Sequence, residues 1–231
     1  MTKYQTIADD IRQRIYKKEF KETKKIPSED ELIEQYQVSR NTIRNAIKHL
    51  SDTGFVYPIQ GSGYYIHEID EVSTFLGGTK GVSFDHPGKT LTSEVLKLEI
   101  IHADEILAKN MQCKEGTPIY HIIRLRFIDN APYSLEDSYY NKDIIPYLGT
   151  EICEKSIFSY IQNDLKLNFG LTDKYLSVEK LDKEKSQLLN LEENDPAFII
   201  EDKVHLSNGQ RFNVSKSYYN YKTTKFYTMV K

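Results

Sequence analysis

Apolar residues recur at helical spacing from the start of the chain. Ile7, Ile11 and Ile15 stand four apart with Ala8 beside them and charged residues opposite, so residues 4–18 read as an amphipathic helix. Pro27-Ser28-Glu29-Asp30-Glu31 follows, in which Ser28 is placed to cap a helix and Glu31, three residues on, to complete a capping box. The short second helix then buries Leu32, Ile33 and Tyr36. After Gln37-Val38, Ser39 caps a third helix whose apolar side is Ile43, Ala46, Ile47 and Leu50, ending at Gly54. Two short helices joined by a tight turn make a helix-turn-helix. Residues 55–66, FVYPIQGSGYYI, read as two short strands around the tip Gln60-Gly61-Ser62-Gly63, a wing on that motif.

Beyond residue 67 the pattern changes. A short acidic linker over residues 68–74 separates a first domain, 1–67, from a second, 75–231, in which strand-like alternation mixes with brief helical segments. An internal repeat runs through it: HADEILAKNMQCKEGTPIYHII and LDKEKSQLLNLEENDPAFIIED align at an offset of 78, matching Asp104 to Asp182, Met111 to Leu189 and Pro118 to Pro196. Each copy reads strand, short helix, strand. Two copies suggest a pseudo-symmetric α+β domain around an antiparallel sheet, with a longer helix at 154–165 burying Ile157, Phe158, Ile161 and Leu165.

Composition narrows the classes. A chain of 231 residues, 39% hydrophobic and 28% charged, suits two small globular domains. It has no apolar run near the ~18 residues that cross a bilayer, and its first residues form a charged amphipathic stretch unlike a signal peptide, so a cytoplasmic protein with no membrane partner is expected. Cys113 and Cys153 lack metal or disulfide spacing, and the six histidines are scattered singly, so no metal, cofactor or catalytic base is expected. The net charge of −3 hides a split: residues 1–66 carry 11 Lys+Arg against 9 Asp+Glu, and the remainder 20 against 25. A slightly basic head on an acidic body fits a nucleic-acid contact confined to the first domain.

The exposed side of the third helix carries that contact. Arg40, Arg44 and Lys48 recur every four residues with Asn41, Thr42 and Asn45 between them, and Asp52 is the helix's only acid. Arg and Asn match guanine and adenine edges in the major groove, while Thr and Lys hold phosphates; a solvated face would mix in more acids. A tip of Gly61, Ser62 and Gly63 lets the wing approach the backbone or the adjacent minor groove. In the second domain, the strand TPIYHIIRLRFID puts Ile123, Leu125 and Phe127 on one face and Arg124 and Arg126 on the other, and a three-residue loop Asp129-Asn130-Ala131 sets Glu136 opposite Arg124. These charges form either a surface ion pair or a pocket in which paired guanidinium groups hold an anion while Glu136 orients them.

The run YQTIADDIRQRI with IPSEDELIEQYQVSRNTIRNAIKHLSDTGFVYPIQGSGYYI resembles the winged helix-turn-helix of the GntR family of bacterial regulators over residues 4–66, on the marks PSE-x-EL, VSR-x-T-x-R and G-x-G. That resemblance implies DNA contact by Arg40, Thr42, Arg44 and Gly63, and binding to a palindromic double-stranded operator as a homodimer. Residues 75–229, with RLRF-x-D, E-x-SYY and SIFSYI, resemble the UTRA domain found in the HutC subfamily, which implies a chorismate-lyase-like fold and a small-molecule effector. Carried over from relatives that bind sugar phosphates, the effector positions are Ser83, Phe84, Arg124, Arg126, Glu136, Ser156, Phe158, Asn213 and Tyr219. Amino-sugar-phosphate sensors carry a carboxylate where this chain has Asn213, and Asp85 puts a negative charge in the expected phosphate loop. The segment EICEKSIFSYI is similar to trehalose-phosphate regulators of the subfamily, which favours a sugar phosphate of the disaccharide or glycoside class.

The reading is therefore an effector-controlled transcriptional repressor. The alternatives are an enzyme of chorismate-lyase-like fold and a ligand-independent DNA-binding protein. An enzyme needs a general acid or base against a reactive centre, and the candidate pocket offers Arg, Ser, Asn, Tyr and one paired Glu. An architectural DNA-binding protein would be strongly basic and would not need the larger second domain.

Overall fold

The computed structural model describes residues 2–67, 73–76 and 89–228, with the side chains of Ser73 and Phe75 excepted. Among these, residues 2–67, 73–76 and 226–228 form one compact unit and residues 89–225 another. The loop positions Ser83, Phe84 and Asp85 lie outside the described residues.

The first unit is three helices and a hairpin: α1 (Lys3–Tyr16), α2 (Glu29–Tyr36), α3 (Arg40–Asp52), β1 (Val56–Ile59) and β2 (Gly63–Ile66). Its core is Ile7, Ile11, Leu32, Ile43, Ile47 and Leu50, each essentially without exposure, closed by Ile26, Phe55 and Val56. The capping box forms as the spacing demands: Ser28 N donates to Glu31 Oε2 at 2.7 Å and Glu31 N to Ser28 Oγ at 3.3 Å. Gln37 adopts a left-handed conformation at φ +51°, stopping α2, and Ser39 restarts the chain two residues later by accepting from Thr42 N at 3.3 Å. In the hairpin Val56 pairs with Ile66 and Ile59 with Gly63. A short strand β3 (Ser73–Phe75) pairs with the last strand of the chain, Lys225–Tyr227.

The second unit runs β4 (Leu91–His102), α4 (Glu105–Met111), β5 (Pro118–Ile128), β6 (Ala131–Asn141), α5 (Thr150–Cys153), α6 (Ile157–Asn163), β7 (Phe169–Lys180), α7 (Lys183–Leu188), β8 (Pro196–Leu206) and β9 (Arg211–Asn220); the strand Lys225–Tyr227 that pairs with β3 is β10. The six long strands form one antiparallel sheet in the order β4-β5-β6-β9-β8-β7. This is the internal repeat in three dimensions: β4-α4-β5-β6 and β7-α7-β8-β9 follow the same path and meet in a pseudo-twofold arrangement at the antiparallel β6–β9 seam. Asp104 and Asp182 cap the two matched helices, each accepting from the backbone three residues on at 2.8 Å. Met111 and Leu189 are both fully buried, and Pro118 and Pro196 both open a strand. The two helices cover one face, α4 over Ala103, Ile119 and Val214, α7 over Leu125, Leu135, Ala197 and Ile199. The other face is covered at one end by α5 and α6, whose Cys153, Ile157 and Ile161 pack on Ile122, Tyr140, Val204 and Phe212.

Two local expectations are corrected. The helix expected at 154–165 is shorter, Ile157–Asn163, with Ser156 capping it by accepting from Ser159 N at 3.2 Å, and a separate short helix, Thr150–Cys153, precedes it. The break leaves the carbonyls of Cys153 and Lys155 free of the helix, and the Arg124 guanidinium takes both, at 2.7 and 3.4 Å. The β5–β6 loop has two residues, not three: Asp129 and Asn130 turn at φ +49° and +67°, as a tight hairpin requires. Such a turn alone would set Arg124 opposite Leu135. A bulge at Tyr133, where Phe127 pairs with Pro132 but Arg126 with Ser134, shifts the register by one and brings Glu136 opposite Arg124.

Candidate functional site

On the first unit, α3 turns Ile43, Ala46, Ile47 and Leu50 inward and leaves Arg40, Asn41, Arg44, Asn45 and Lys48 exposed, with Thr42 half-buried against Ser39. The structure sets the six along the outer side of one helix, and it gives Arg40 and Arg44 partners that the helix's own sequence does not show. Arg40 donates to Asp30 at 2.6 Å, Arg44 Nε to Glu29 at 2.9 Å, and Lys48 to Asp52 at 2.6 Å. The nearly acid-free face is therefore met in space by the first turn of α2. The wing tip holds Gly61 at φ +73° and Gly63 at φ +109°; a Cβ on Gly63 would come within 2.9 Å of Lys25 Cε. Ser62 is committed to a 2.7 Å hydrogen bond with the Tyr65 hydroxyl.

On the second unit, Arg124 and Arg126 share the sheet face with Glu136, and the surface ion-pair alternative is overturned: Arg124 is 3% and Arg126 7% exposed. Arg124 is fully engaged. Its Nε reaches Glu136 Oε2 at 3.0 Å, a second nitrogen also pairs with that carboxylate, and the third takes the Cys153 and Lys155 carbonyls. Arg126 is not. Its nearest carboxylate oxygen is Glu136 Oε2 at 3.9 Å, and its Nε is buried without a hydrogen-bond partner. Burial, opposed by Glu136 and reinforced by Arg124, pulls the Arg126 pKa below the usual guanidinium value. Burial alone would raise Glu136, but the two guanidinium groups outweigh it and hold the carboxyl below its ordinary range, so it stays ionised. Arg126 thus keeps an unsatisfied donor edge beside an Arg124–Glu136 pair that already neutralises its own charge.

The remaining expected positions divide. Asn213 and Tyr219 lie on this same face, in register with Tyr140 and Ser134. Tyr219 stacks edge-on against Tyr133 at 5.4 Å, and burial raises its hydroxyl pKa well above the ordinary value. Asn213 Oδ1 is buried without a partner. Ser156 serves as the α6 cap, and Phe158 packs against Phe169 and Phe212 at 5.1 and 6.2 Å, so both are tied to the helix-covered end of the face.

Sequence reasoning missed the floor between these groups. On β6 the face carries Ser134, Glu136, Ser138 and Tyr140, and on β9 Asn213, Ser215, Ser217 and Tyr219, aligned by the register of the central seam. Ser134, Ser138 and Ser217 are buried, and Ser138 Oγ has no partner. The signal was present as a second repeat, Ser-Tyr-Tyr-Asn at 138–141 and again at 217–220, each ending in the same turn: Asn141 Oδ1 accepts from Asp143 N, and Asn220 Oδ1 from Lys222 N, both at 2.9 Å. Among the described residues no group of His, Cys, Asp and Glu is arranged to hold a metal ion, and no helix is long and apolar enough to cross a membrane. Both cysteines are free, and burial pushes the Cys153 thiol up to about 11.

Comparison with known proteins matches two stretches of the chain to family models. Residues 3–66 match the family of bacterial regulatory proteins named gntR, and residues 86–225 match the UTRA domain. The uncharacterized HTH-type transcriptional regulator YydK of Bacillus subtilis is 34% identical over 98% of this chain and 96% of its own length. The regulator TreR of the same organism is 30% identical over 94% and 92%. The mannosyl-D-glycerate transport/metabolism system repressor MngR of Escherichia coli is 28% identical over 96% and 93%. The crystal structure of YydK superposes with a TM-score of 0.81 at 32% identity, covering all of both chains. With a winged helix-turn-helix followed by a duplicated antiparallel sheet, the chain belongs to the gntR family of bacterial regulators, in the group that carries a UTRA domain.

Proposed function

We propose that the protein is a transcriptional repressor that binds operator DNA through α3 and the wing and is controlled by a phosphorylated disaccharide or glycoside held on the sheet of its second unit. Residues 1–67 serve the DNA, 75–231 the effector, and 68–74 connect them. The observation that carries the effector reading is Arg126, a buried guanidinium with an unpartnered Nε beside a neutralised Arg124–Glu136 pair. The serine floor next to it favours a polyol over a flat aromatic acid, and one relative is named for a mannosyl-D-glycerate system. Two others are named for histidine utilization, which makes a histidine-derived anion the competing reading.

Two copies act together in the cytoplasm, setting their recognition helices about 34 Å apart on successive major grooves. The effector shifts operator affinity by its differential affinity for the two arrangements of the dimer, about 1–3 kcal/mol of coupling. The test is a thermal-melt panel of sugar phosphates, free disaccharides and aromatic acids against wild type and Arg126→Ala. A ligand at 100 times its dissociation constant stabilises by about 2.7 kcal/mol. A shift with a phosphorylated sugar that vanishes in the variant supports the reading, and a shift with histidine-derived anions alone replaces it. In parallel, Arg44→Ala abolishes binding to a duplex selected from random sequence while keeping the effector shift; unchanged DNA affinity overturns the role of α3.

A further inference from the structure

The two halves of the sheet share a topology but not their charges. The residue 78 positions after Arg124 is Asp202, on β8. It lies on the same face of the sheet: Ser138 pairs with Ser215, Ser215 with Asp202, and Asp202 with Lys174 on the edge strand β7. Where the first half carries two guanidinium groups and a carboxylate, the second carries one carboxylate and one ammonium, with Lys174 Nζ 2.7 Å from Asp202 Oδ1. The serine floor runs from one pole to the other.

Three observations set this second pole apart from an ordinary surface pair. Asp202 and Lys174 are only 17% and 24% exposed in their side chains, and burying an ion pair is weak grounds for stability. Burial raises the Asp202 carboxyl, and Lys174 opposes the rise without reversing it, so the charge is held at a cost. The polar atoms lining the row are unsatisfied: Ser138 Oγ and Asn213 Oδ1 are buried without partners, as is Thr172 Oγ1, which sits in register with Val204 two residues from Asp202. Lys174 engages Oδ1 of Asp202 and leaves Oδ2 for a ligand.

Spacing decides what reaches both poles. Arg126 and Asp202 are on β5 and β8, three strand separations apart, about 14 Å across the sheet, and further along it. Arg126's row, Ser134, Tyr219 and Phe198, meets β8 four residues from Asp202, about 13 Å along the strand, so the backbones of the two poles stand about 19 Å apart; a phosphate with one sugar ring is too short for that span, and a second ring closes it once the Arg126 and Asp202 side chains reach inward. We propose that Asp202, held by Lys174, is a second anchoring residue of the effector pocket, accepting hydrogen bonds from hydroxyls of the sugar ring remote from the phosphate and making the pocket selective for phosphorylated disaccharides over phosphorylated monosaccharides. This rests on the anionic-sugar reading above.

Isothermal titration of the full chain with a 6-phosphorylated glucose disaccharide, glucose 6-phosphate and inorganic phosphate tests it. In Asp202→Asn the disaccharide phosphate weakens roughly tenfold to a hundredfold, the loss of a hydrogen bond to a charged group, while glucose 6-phosphate changes by no more than about twofold. The exchanged double variant Lys174→Asp with Asp202→Lys keeps an opposite-charge pair in the same register, and so the fold, but moves the carboxylate to β7; it shows the same selective loss. Equal weakening of both sugars, or disaccharide binding unchanged in either variant, overturns the role of Asp202. If Arg126→Gln abolishes disaccharide binding while Asp202→Asn does not, only the second anchor falls. If the wild type binds no phosphorylated sugar, the anionic-sugar reading falls and this inference with it.

Discussion

Replacing Glu136 with Gln tests the electrostatic logic of the sheet face. The carboxylate is the nearest counter-charge to two buried guanidinium groups, paired with Arg124 and 3.9 Å from Arg126. Removing one partner of a buried ion pair destabilises by about 3–5 kcal/mol, because the remaining charge is left uncompensated. Gln retains an oxygen that accepts from Arg124 Nε, and the Glu136 side chain keeps 19% exposure, so the lower end of that range, about 3 kcal/mol, is expected. At about 2–4 °C per kcal/mol for a chain of this size, the transition of the second unit falls by roughly 6–12 °C. Circular dichroism during urea and thermal unfolding reads this directly.

The pH dependence supplies a second check with a definite sign. The native Glu136 pKa lies below its unfolded value, so its ionised form contributes stability that is fully present above about pH 5 and is lost as pH falls through the lowered native pKa. The gap between wild type and Glu136→Gln is therefore flat from neutrality to about pH 5 and narrows below it. A gap under about 1 kcal/mol at pH 7, the value of an exposed pair, refutes the reasoning. So does a gap that persists unchanged at pH 3.

Two further outcomes follow from single positions. Gly63→Ala puts a side chain at φ +109°, and although the clash with Lys25 Cε yields because that side chain is flexible, the backbone does not; a loss of about 1–2 kcal/mol in the first unit is expected by thermal melt, with weaker operator binding. For Cys153, burial is the largest influence and lifts the thiol to about 11 against the pull of Arg124, so a disulfide-exchange reagent at pH 8 titrates one thiol in the native protein and two in denaturant. Two thiols reacting at comparable native rates contradicts the buried position.

What was legible in the sequence was local. Capping boxes, N-caps and glycine stops act within four residues, so Ser28, Ser39 and Gly54 mark their helices before any tertiary contact is known. The Arg124–Glu136 pairing was anticipated from a hairpin, although the loop assigned to it was one residue too long and a bulge at Tyr133 restored the register. What escaped depended on distant strands. The β6–β9 seam joins segments some eighty residues apart, and only there do the two Ser-Tyr-Tyr-Asn runs become one polar floor. The helix expected at 154–165 begins only at Ile157, and ahead of it Arg124, thirty residues earlier in the chain, takes the carbonyls of Cys153 and Lys155. Helix periodicity carries no trace of that contact.

The same distinction bears on the recognition helix, where counting acids along α3 overstated its free positive charge. In the free protein Arg40 and Arg44 are held by Asp30 and Glu29. Arg40 at 54%, Arg44 at 61% and Asp30 at 77% are largely exposed, so each pair contributes less than about 1 kcal/mol, a small cost for a competing phosphate to overcome. The two acids then play different parts. Glu29, 20% exposed, is packed at the start of α2 against Arg44, whereas Asp30, 77% exposed, adds a solvent-facing negative charge to the face proposed to meet DNA. Asp30→Asn is therefore expected to strengthen binding to random and selected duplexes alike, by up to about tenfold at 50 mM salt, and to steepen the slope of log affinity against log salt by no more than about 0.9, one phosphate contact. Glu29→Gln removes a negative charge as well and so also strengthens binding to random DNA, but it lowers the preference for the selected duplex, because Arg44 loses the carboxylate that orients it. Fluorescence anisotropy across a salt series separates these outcomes. Weaker binding by Asp30→Asn at every salt concentration would show that Arg40 needs its carboxylate to reach the groove, and that positioning by α2 outweighs charge on this face.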